Sequence, residues 1–79
     1  MKKIARIDLA GVPWPVNLLQ CCRHTGEMQP GDAMVISVKD EDVKDSLLLI
    51  LNATPEFSVD VSERGQRFAI NVTKNKAGG

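Results

Sequence analysis

The chain alternates short apolar runs with amphipathic stretches, and this pattern predicts six elements. Residues 4–9 and 33–38 are apolar-rich and have the length of strands. Residues 57–62 and 68–73 alternate apolar with polar side chains, which is typical of strands that are buried on one face only. A hairpin turn is predicted between these last two strands, at Glu63-Arg64-Gly65.

Two helices are predicted in the stretches that separate the first three strands. The first begins at Pro15, which fits the first turn of a helix because its missing N–H is not needed there. The second begins after Asp40, a favourable N-cap residue. The helical spacing of apolar residues predicts the inner face of the first helix as Pro15, Leu18, Leu19, Cys22 and Gly26. The same spacing predicts the inner face of the second as Val43, Leu47, Ile50 and Leu51.

The predicted order is β-α-β-α-β-β, which favours an α/β (α+β) fold. We expect a two-layer sandwich, with a four-stranded mixed sheet and two helices on one face, because each element then buries its apolar side. A chain of 79 residues is long enough for one domain, over residues 1–79. Its ordered core is predicted over about residues 3–74, and the small polar residues 75–79 are predicted to form a flexible tail.

Charge and composition limit the classes of function. Ten basic and ten acidic residues give a formal net charge of zero, and no basic stripe is present, so nucleic-acid binding is disfavoured. The lysines near the N-terminus interrupt any apolar signal segment, and the longest apolar run, residues 47–51, is too short to span a membrane. We therefore expect a cytoplasmic protein without a membrane segment.

A set of turn-forming residues gives the sequence its most specific motif. Asp8, Gly11 and Pro15 surround Trp14, and a Pro30-Gly31 turn follows after the length of one helix. In order and spacing these residues resemble the signature of the TusA/SirA-like sulfurtransferase family, over nearly the whole chain. The resemblance implies the same two-layer β-α-β-α-β-β fold that the apolar pattern predicts.

The family resemblance also implies where the chemistry of this chain has changed. In that family a cysteine before the first proline carries persulfide sulfur, and a thiol at a helix N-terminus has a lowered pKa. Here Trp14 occupies that position, and Asn17 replaces the family's second proline. An indole cannot carry sulfur. We therefore expect a diverged member, a small protein-binding or regulatory domain associated with sulfur or selenium metabolism, and no catalytic residue.

The resemblance places the binding residues at Asp8, Gly11, Trp14 and Pro15, where the family meets its partners. An exposed Trp14 would suit a contact with a protein partner, since tryptophan is enriched in binding hot spots. The alternative is that Trp14 folds back onto the sheet and belongs to the core. The sequence leaves both possibilities open.

Cys21 and Cys22 are the candidates for an active sulfur carrier, in which case the protein would be a sulfurtransferase after all. Cys22 lies on the predicted inner face of the first helix, whereas Cys21 lies on its flank, near the positive charge of Arg23. Cys21 is therefore predicted to be the more reactive thiol. The competing prediction is that both are small buried core residues, as free cysteines often are.

Leu48 and Leu49 lie off the predicted inner face of the second helix and are candidates for an interface, including that of a homodimer. Burial under another segment is the alternative. One histidine and two adjacent cysteines offer no tetrahedral ligand spacing, so no metal is predicted, and no phosphate-binding loop or other cofactor motif is present. The expected partner is a protein of unknown identity. Nucleic-acid binding remains the third hypothesis.

Overall fold

A computed structural model describes residues 4–75, and residues 1–3 and 76–79 lie outside it. Its elements follow the predicted β-α-β-α-β-β order. They are β1 (Ile4–Asp8), α1 (Val16–Gly26), β2 (Ala33–Val38), α2 (Glu41–Asn52), β3 (Phe57–Arg64) and β4 (Arg67–Lys74).

The four strands form one mixed sheet in the order β1-β2-β4-β3. β1 and β2 run parallel and are joined by a crossover through α1. β4 pairs antiparallel with β2 on one side and with β3 on the other. Ile36 lies opposite Ile7 in β1 and opposite Ile70 in β4, so these side chains share one face of the sheet. The predicted mixed four-stranded sheet is confirmed.

The core lies between that face and the two helices. Its centre consists of side chains from β2, β4 and both helices that are almost completely buried, and burial of each large one stabilises the fold by about 1.5–3 kcal/mol. Because Cys21 of α1 and Leu47 of α2 belong to the same buried cluster, both helices cover one face, as predicted. The largest of these side chains are Met34, Ile36, Val38, Leu47, Ile70 and Val72.

The predicted inner face of α1 is wrong. The buried residues are Asn17, Cys21 and Thr25, with Leu18 half-buried at their side, whereas Leu19 is 64% exposed. Two polar side chains can lie inside because they find local hydrogen-bond acceptors or donors. The Thr25 hydroxyl donates to the carbonyl oxygen of Cys21 at 3.0 Å, which offsets the loss of its water. The exposed positions of the predicted face are Pro15, Leu19, Cys22 and Gly26.

The inner face of α2 is largely as predicted. Leu47 and Leu51 are buried and Val43 packs against the core, but Ile50 is partly exposed. Asp40 occupies the predicted N-cap position, although its side chain accepts no capping hydrogen bond. The dipole of α2 is complemented by acidic residues in its first turn.

The structure differs from the predicted strands at Leu9, at Ala5 and at the hairpin turn. Leu9 follows β1 rather than belonging to it, and Ala5, predicted on the buried face, is exposed. The hairpin turn consists of Gly65 and Gln66 and not of Glu63-Arg64-Gly65, because β3 continues through Arg64 and β4 begins at Arg67, with Gly65 at φ 60°. Asn75, expected in the flexible tail, is bound to β3, since its Oδ1 accepts from the Ser58 hydroxyl at 2.8 Å. The rest of that tail lies outside the described residues.

Candidate functional site

The loop between β1 and α1 carries the sequence motif and begins with a side-chain turn. The Oδ1 atom of Asp8 accepts a hydrogen bond from the backbone N–H of Ala10 at 3.0 Å. Gly11 follows with a φ of 84°, a backbone conformation that glycine adopts without steric cost. The N–H of Val12 then donates to the carbonyl of Leu9 at 3.1 Å. Asp8 and Gly11, predicted as binding residues, thus shape the loop that presents the residues after them.

Asp8 also contributes to the opposite face of the sheet. Its Oδ2 atom lies 3.5 Å from Nη1 of Arg67 on β4, and both side chains are more than half exposed. An exposed ion pair of this kind contributes little to stability, about 0–1 kcal/mol. Both carboxylate oxygens of Asp8 thus have a partner within the protein, the backbone N–H of Ala10 and the guanidinium of Arg67. Its role in the structure is therefore to position the loop.

Trp14 is 50% exposed, which decides between the two interpretations of this residue. It does not fold back into the core, and apolar residues beside it in the chain are also exposed. Val16 and Leu19 are neighbours on α1, three residues apart, and both lie open to solvent. We call the following set the Trp14 surface: Pro13, Trp14, Pro15, Val16 and Leu19.

The two thiols of α1 differ in exposure although they are adjacent in the chain. Cys21 is 1% exposed, and burial, with a smaller contribution from the neighbouring Cys22, raises its pKa from 9.0 to about 11. Such a thiol stays protonated and unreactive at neutral pH. Cys22 is exposed. Cys21 was predicted to be the more reactive thiol, but the structure buries Cys21 and exposes Cys22, because α1 is rotated relative to its apolar pattern.

The predicted interface on α2 is reduced to one of its two leucines. Leu49 is 74% exposed, with Ile50 partly exposed beside it. Leu48, however, is half-buried and packs against the core, as does the fully buried Leu51. The exposed apolar area on α2 is therefore smaller than the sequence predicted.

A cavity of about 180 Å³ lies beside the Trp14 surface, at the carboxyl ends of the parallel strands β1 and β2. Pro13 belongs both to its wall and to the Trp14 surface. The N-termini of α1 and α2 both border it, because each helix follows one of these strands. Its lining residues are Leu9, Gly11, Val12, Pro13, Asn17, Val38, Lys39, Asp40 and Val43.

Asn17 is the polar residue that sequence reasoning missed at this cavity. It is 1% exposed, and its Oδ1 atom accepts from the backbone N–H of Leu18 at 2.7 Å. The only signal in the sequence is a spacing of four residues from Asn17 to Cys21 to Thr25, which places them on one helical face. Hydropathy alone gives a stronger signal for the face that contains Leu19.

Comparison of the chain with known proteins identified no relative. No family model, no curated protein and no solved structure matches it. Within residues 4–75 no three His, Cys, Asp or Glu side chains are grouped so that they could hold a metal ion. Neither of the two described helices is long and apolar enough to cross a membrane.

Proposed function

We propose that this protein is a small non-catalytic binding domain that recognises a segment of a protein partner through the Trp14 surface. The observation that carries the proposal is the exposure of Trp14, half of whose side chain is open to solvent at the start of α1. A contiguous apolar surface around a tryptophan is a common property of protein-binding sites.

Rigidity supports the same proposal. Trp14 stands between Pro13 and Pro15, whose φ angles are fixed, and the loop before them is held by hydrogen bonds of Asp8 and Val12. A surface that is already ordered loses less conformational entropy when it binds, so more of the contact energy contributes to affinity. The Trp14 surface is thus suited to a partner that supplies apolar side chains.

The absence of a thiol at the start of α1 argues for binding rather than sulfur transfer. The position where the resembling family carries its cysteine holds Trp14, and the raised pKa of Cys21 removes that thiol from nucleophilic chemistry at neutral pH. The resemblance to the TusA/SirA-like family supports a cytoplasmic role close to sulfur or selenium metabolism. That association rests on the sequence motif alone.

The proposal is tested by selecting binders from a random peptide display library on the native protein. Trp14→Ala is expected to weaken the selected peptides by about ten-fold or more, since hot-spot truncations cost at least about 1–2 kcal/mol. Leu49→Ala is the matched control, because it removes an exposed apolar side chain elsewhere and should leave affinity unchanged. Selected peptides that bind both variants equally well would contradict the proposal.

The second candidate is a sulfur carrier that uses Cys22, and the exposure of this thiol favours it over Cys21. The Cys22 thiolate would attack the outer sulfur of a donor persulfide, and the donor would leave as a thiolate while Cys22 gains one sulfur. Intact mass after incubation with a persulfide donor measures this directly. A gain of one sulfur atom that is lost in Cys22→Ser but kept in Cys21→Ser would favour the carrier over the binding domain.

Nucleic-acid binding is the least supported alternative. The sheet face that the helices leave open carries both signs of charge, since Arg6 and Asp60 lie in one row of paired residues across it. The Asp8–Arg67 pair lies on the same face. A phosphate backbone needs a surface of consistently positive potential. Salt-dependent binding to single-stranded RNA would restore this alternative.

A further inference from the structure

The geometry points to a specific occupant for the cavity between the N-termini of α1 and α2. We propose that it receives one carboxamide side chain, that of a glutamine or an asparagine, from the segment that binds the Trp14 surface. This inference rests on the proposed function and adds the chemistry by which the partner is recognised.

The size of the cavity limits what it can hold. Its volume of about 180 Å³ is below the roughly 300–1,000 Å³ of typical small-molecule and cofactor sites. It is large enough for a single side chain. The cavity is therefore better suited to one residue of a peptide than to a metabolite.

The floor of the cavity offers a hydrogen-bond donor without a partner. The N–H of Leu18 donates to Oδ1 of Asn17, which identifies this atom as the oxygen and leaves the Nδ2 amide group for the other side. Nδ2 donates no hydrogen bond within residues 4–75, yet every fully buried side-chain nitrogen and oxygen there has a partner. Nδ2 therefore reaches open space, and the open space beside Asn17 is the cavity.

The lining of the cavity also offers a hydrogen-bond acceptor that complements the Nδ2 donor of Asn17. Asp40 lines the wall, and its carboxylate accepts no capping hydrogen bond from α2. A carboxamide can accept from Nδ2 of Asn17 through its oxygen and donate to Asp40 through its nitrogen. An apolar side chain can do neither. It would leave the amide of Asn17 unpaired when water is displaced, which costs about 1–3 kcal/mol.

Charge and hydrogen bonding both disfavour a glutamate or aspartate side chain in the cavity, although its shape is that of the carboxamide. Lys39 and Asp40 are the charged residues that line the cavity, and Asp40 supplies the negative charge that a bound carboxylate would approach. A carboxylate would meet repulsion from Asp40 and has no N–H to donate to it, whereas a neutral carboxamide avoids the repulsion and can donate. The cavity thus selects glutamine or asparagine over glutamate or aspartate.

The position of the cavity connects this recognition to the Trp14 surface. The wall formed by Gly11, Val12 and Pro13 runs directly into Trp14 along the chain. A peptide that covers Trp14 with apolar side chains can therefore place a neighbouring residue in the cavity. One apolar contact and one polar contact on the same segment would together define specificity.

The test is an NMR titration of the ¹⁵N-labelled native protein with N-acetyl-glutamine methylamide. We expect saturable shifts of the Asn17 side-chain amide and of the backbone N–H groups of Gly11 and Val43. The glutamate and norleucine analogues are the matched probes and should bind about ten-fold or more weakly, since they lose one or both hydrogen bonds. The absence of saturable shifts, or equal affinity for the norleucine analogue, would overturn the proposal.

Two variants test separately whether probe binding needs the amide donor of Asn17 and whether it needs the open volume of the cavity. Asn17→Asp keeps an oxygen for the N–H of Leu18 but removes both amide donors, and it should lower affinity for the glutamine probe by about ten-fold or more. Val43→Phe fills the cavity from α2 and should abolish probe binding without changing its floor. Leu49→Ala lies elsewhere and should leave the probe affinity unchanged. A variant that loses its native amide spectrum is set aside, and the titration of the native protein decides.

The outcomes also distinguish this inference from the proposed function. The probe titration reports on Asn17, whereas the peptide selection reports on Trp14. Peptides that depend on Trp14, together with a failed titration, would remove the carboxamide site and keep the binding domain. A successful titration without Trp14-dependent peptides would remove the proposed function and keep the site.

Discussion

At the scale of single residues, the adjacent cysteines show how strongly the burial of a thiol can differ between successive positions of a helix. Cys21 and Cys22 have the same side chain, but successive helical residues point about 100° apart. Cys21 is therefore buried in the core, and Cys22 is exposed to solvent. Burial, more than the neighbouring thiol, raises the pKa of Cys21.

This burial predicts a loss of stability in alkali. Below about pH 9 Cys21 is protonated in both states, so its contribution is complete. Between pH 9 and its folded pKa of about 11, the unfolded chain releases the proton while the folded protein keeps it. The free energy of unfolding should then fall by up to about 1.4 kcal/mol per pH unit. Urea unfolding from about pH 8 to pH 11 measures this slope.

The two cysteines also provide the control for that experiment. Cys21→Ala removes the buried thiol and should flatten the decline, whereas Cys22→Ala removes only the smaller cause of the raised pKa and should leave most of the decline in place. All lysine and arginine side chains are common to the three proteins, so their contribution cancels in the comparison. An identical slope in the native protein and Cys21→Ala would show that the buried thiol does not control this pH dependence.

At the scale of elements, strands were predicted better than helix faces, and the reason is physical. β2 and β4 bury long apolar side chains, so their pattern is strong. α1 buries Thr25, whose hydroxyl donates within the helix, and Asn17, whose Oδ1 accepts from the N–H of Leu18, so both can lie inside although they are polar. A pattern of hydropathy cannot show this. It assigned Leu19 to the inside, and the site at the start of α1 was consequently incomplete.

The orientation of α2 predicts different effects on stability for the same Leu→Ala substitution at two positions of the helix. Leu47 is completely buried and Leu49 is 74% exposed, two positions apart on the same helix. Leu47→Ala should lower the free energy of unfolding by about 2–5 kcal/mol, because it removes core contacts and leaves a cavity. Leu49→Ala should change it by less than about 0.5 kcal/mol. Chemical denaturation of both variants tests the helix orientation, and similar losses in the two would contradict it.

At the scale of the whole molecule, the order of elements and the two-layer packing followed from the sequence, because each layer requires the other to bury its apolar face. The cavity did not follow. It forms where the ends of β1 and β2 bring two distant segments together, those around Gly11 and Asp40. No pattern within either segment of the sequence indicates that the two segments lie close together. The motif around Trp14 indicated this end of the molecule, but the polar floor at Asn17 required the three-dimensional structure.

The small exposed apolar area on α2 predicts that this helix is not a homodimer interface. A stable dimer buries about 800 Å² on each chain, and Leu48 and Leu51 are already used by the core, which leaves Leu49 and Ile50 on α2. The two edge strands of the sheet, β1 and β3, both carry charged side chains, which disfavour pairing with a second copy. Sedimentation equilibrium at micromolar concentration should therefore give the same mass for the native protein and for Leu49→Glu. A dimer in the native protein that Leu49→Glu separates would instead show that α2 is a homodimer interface.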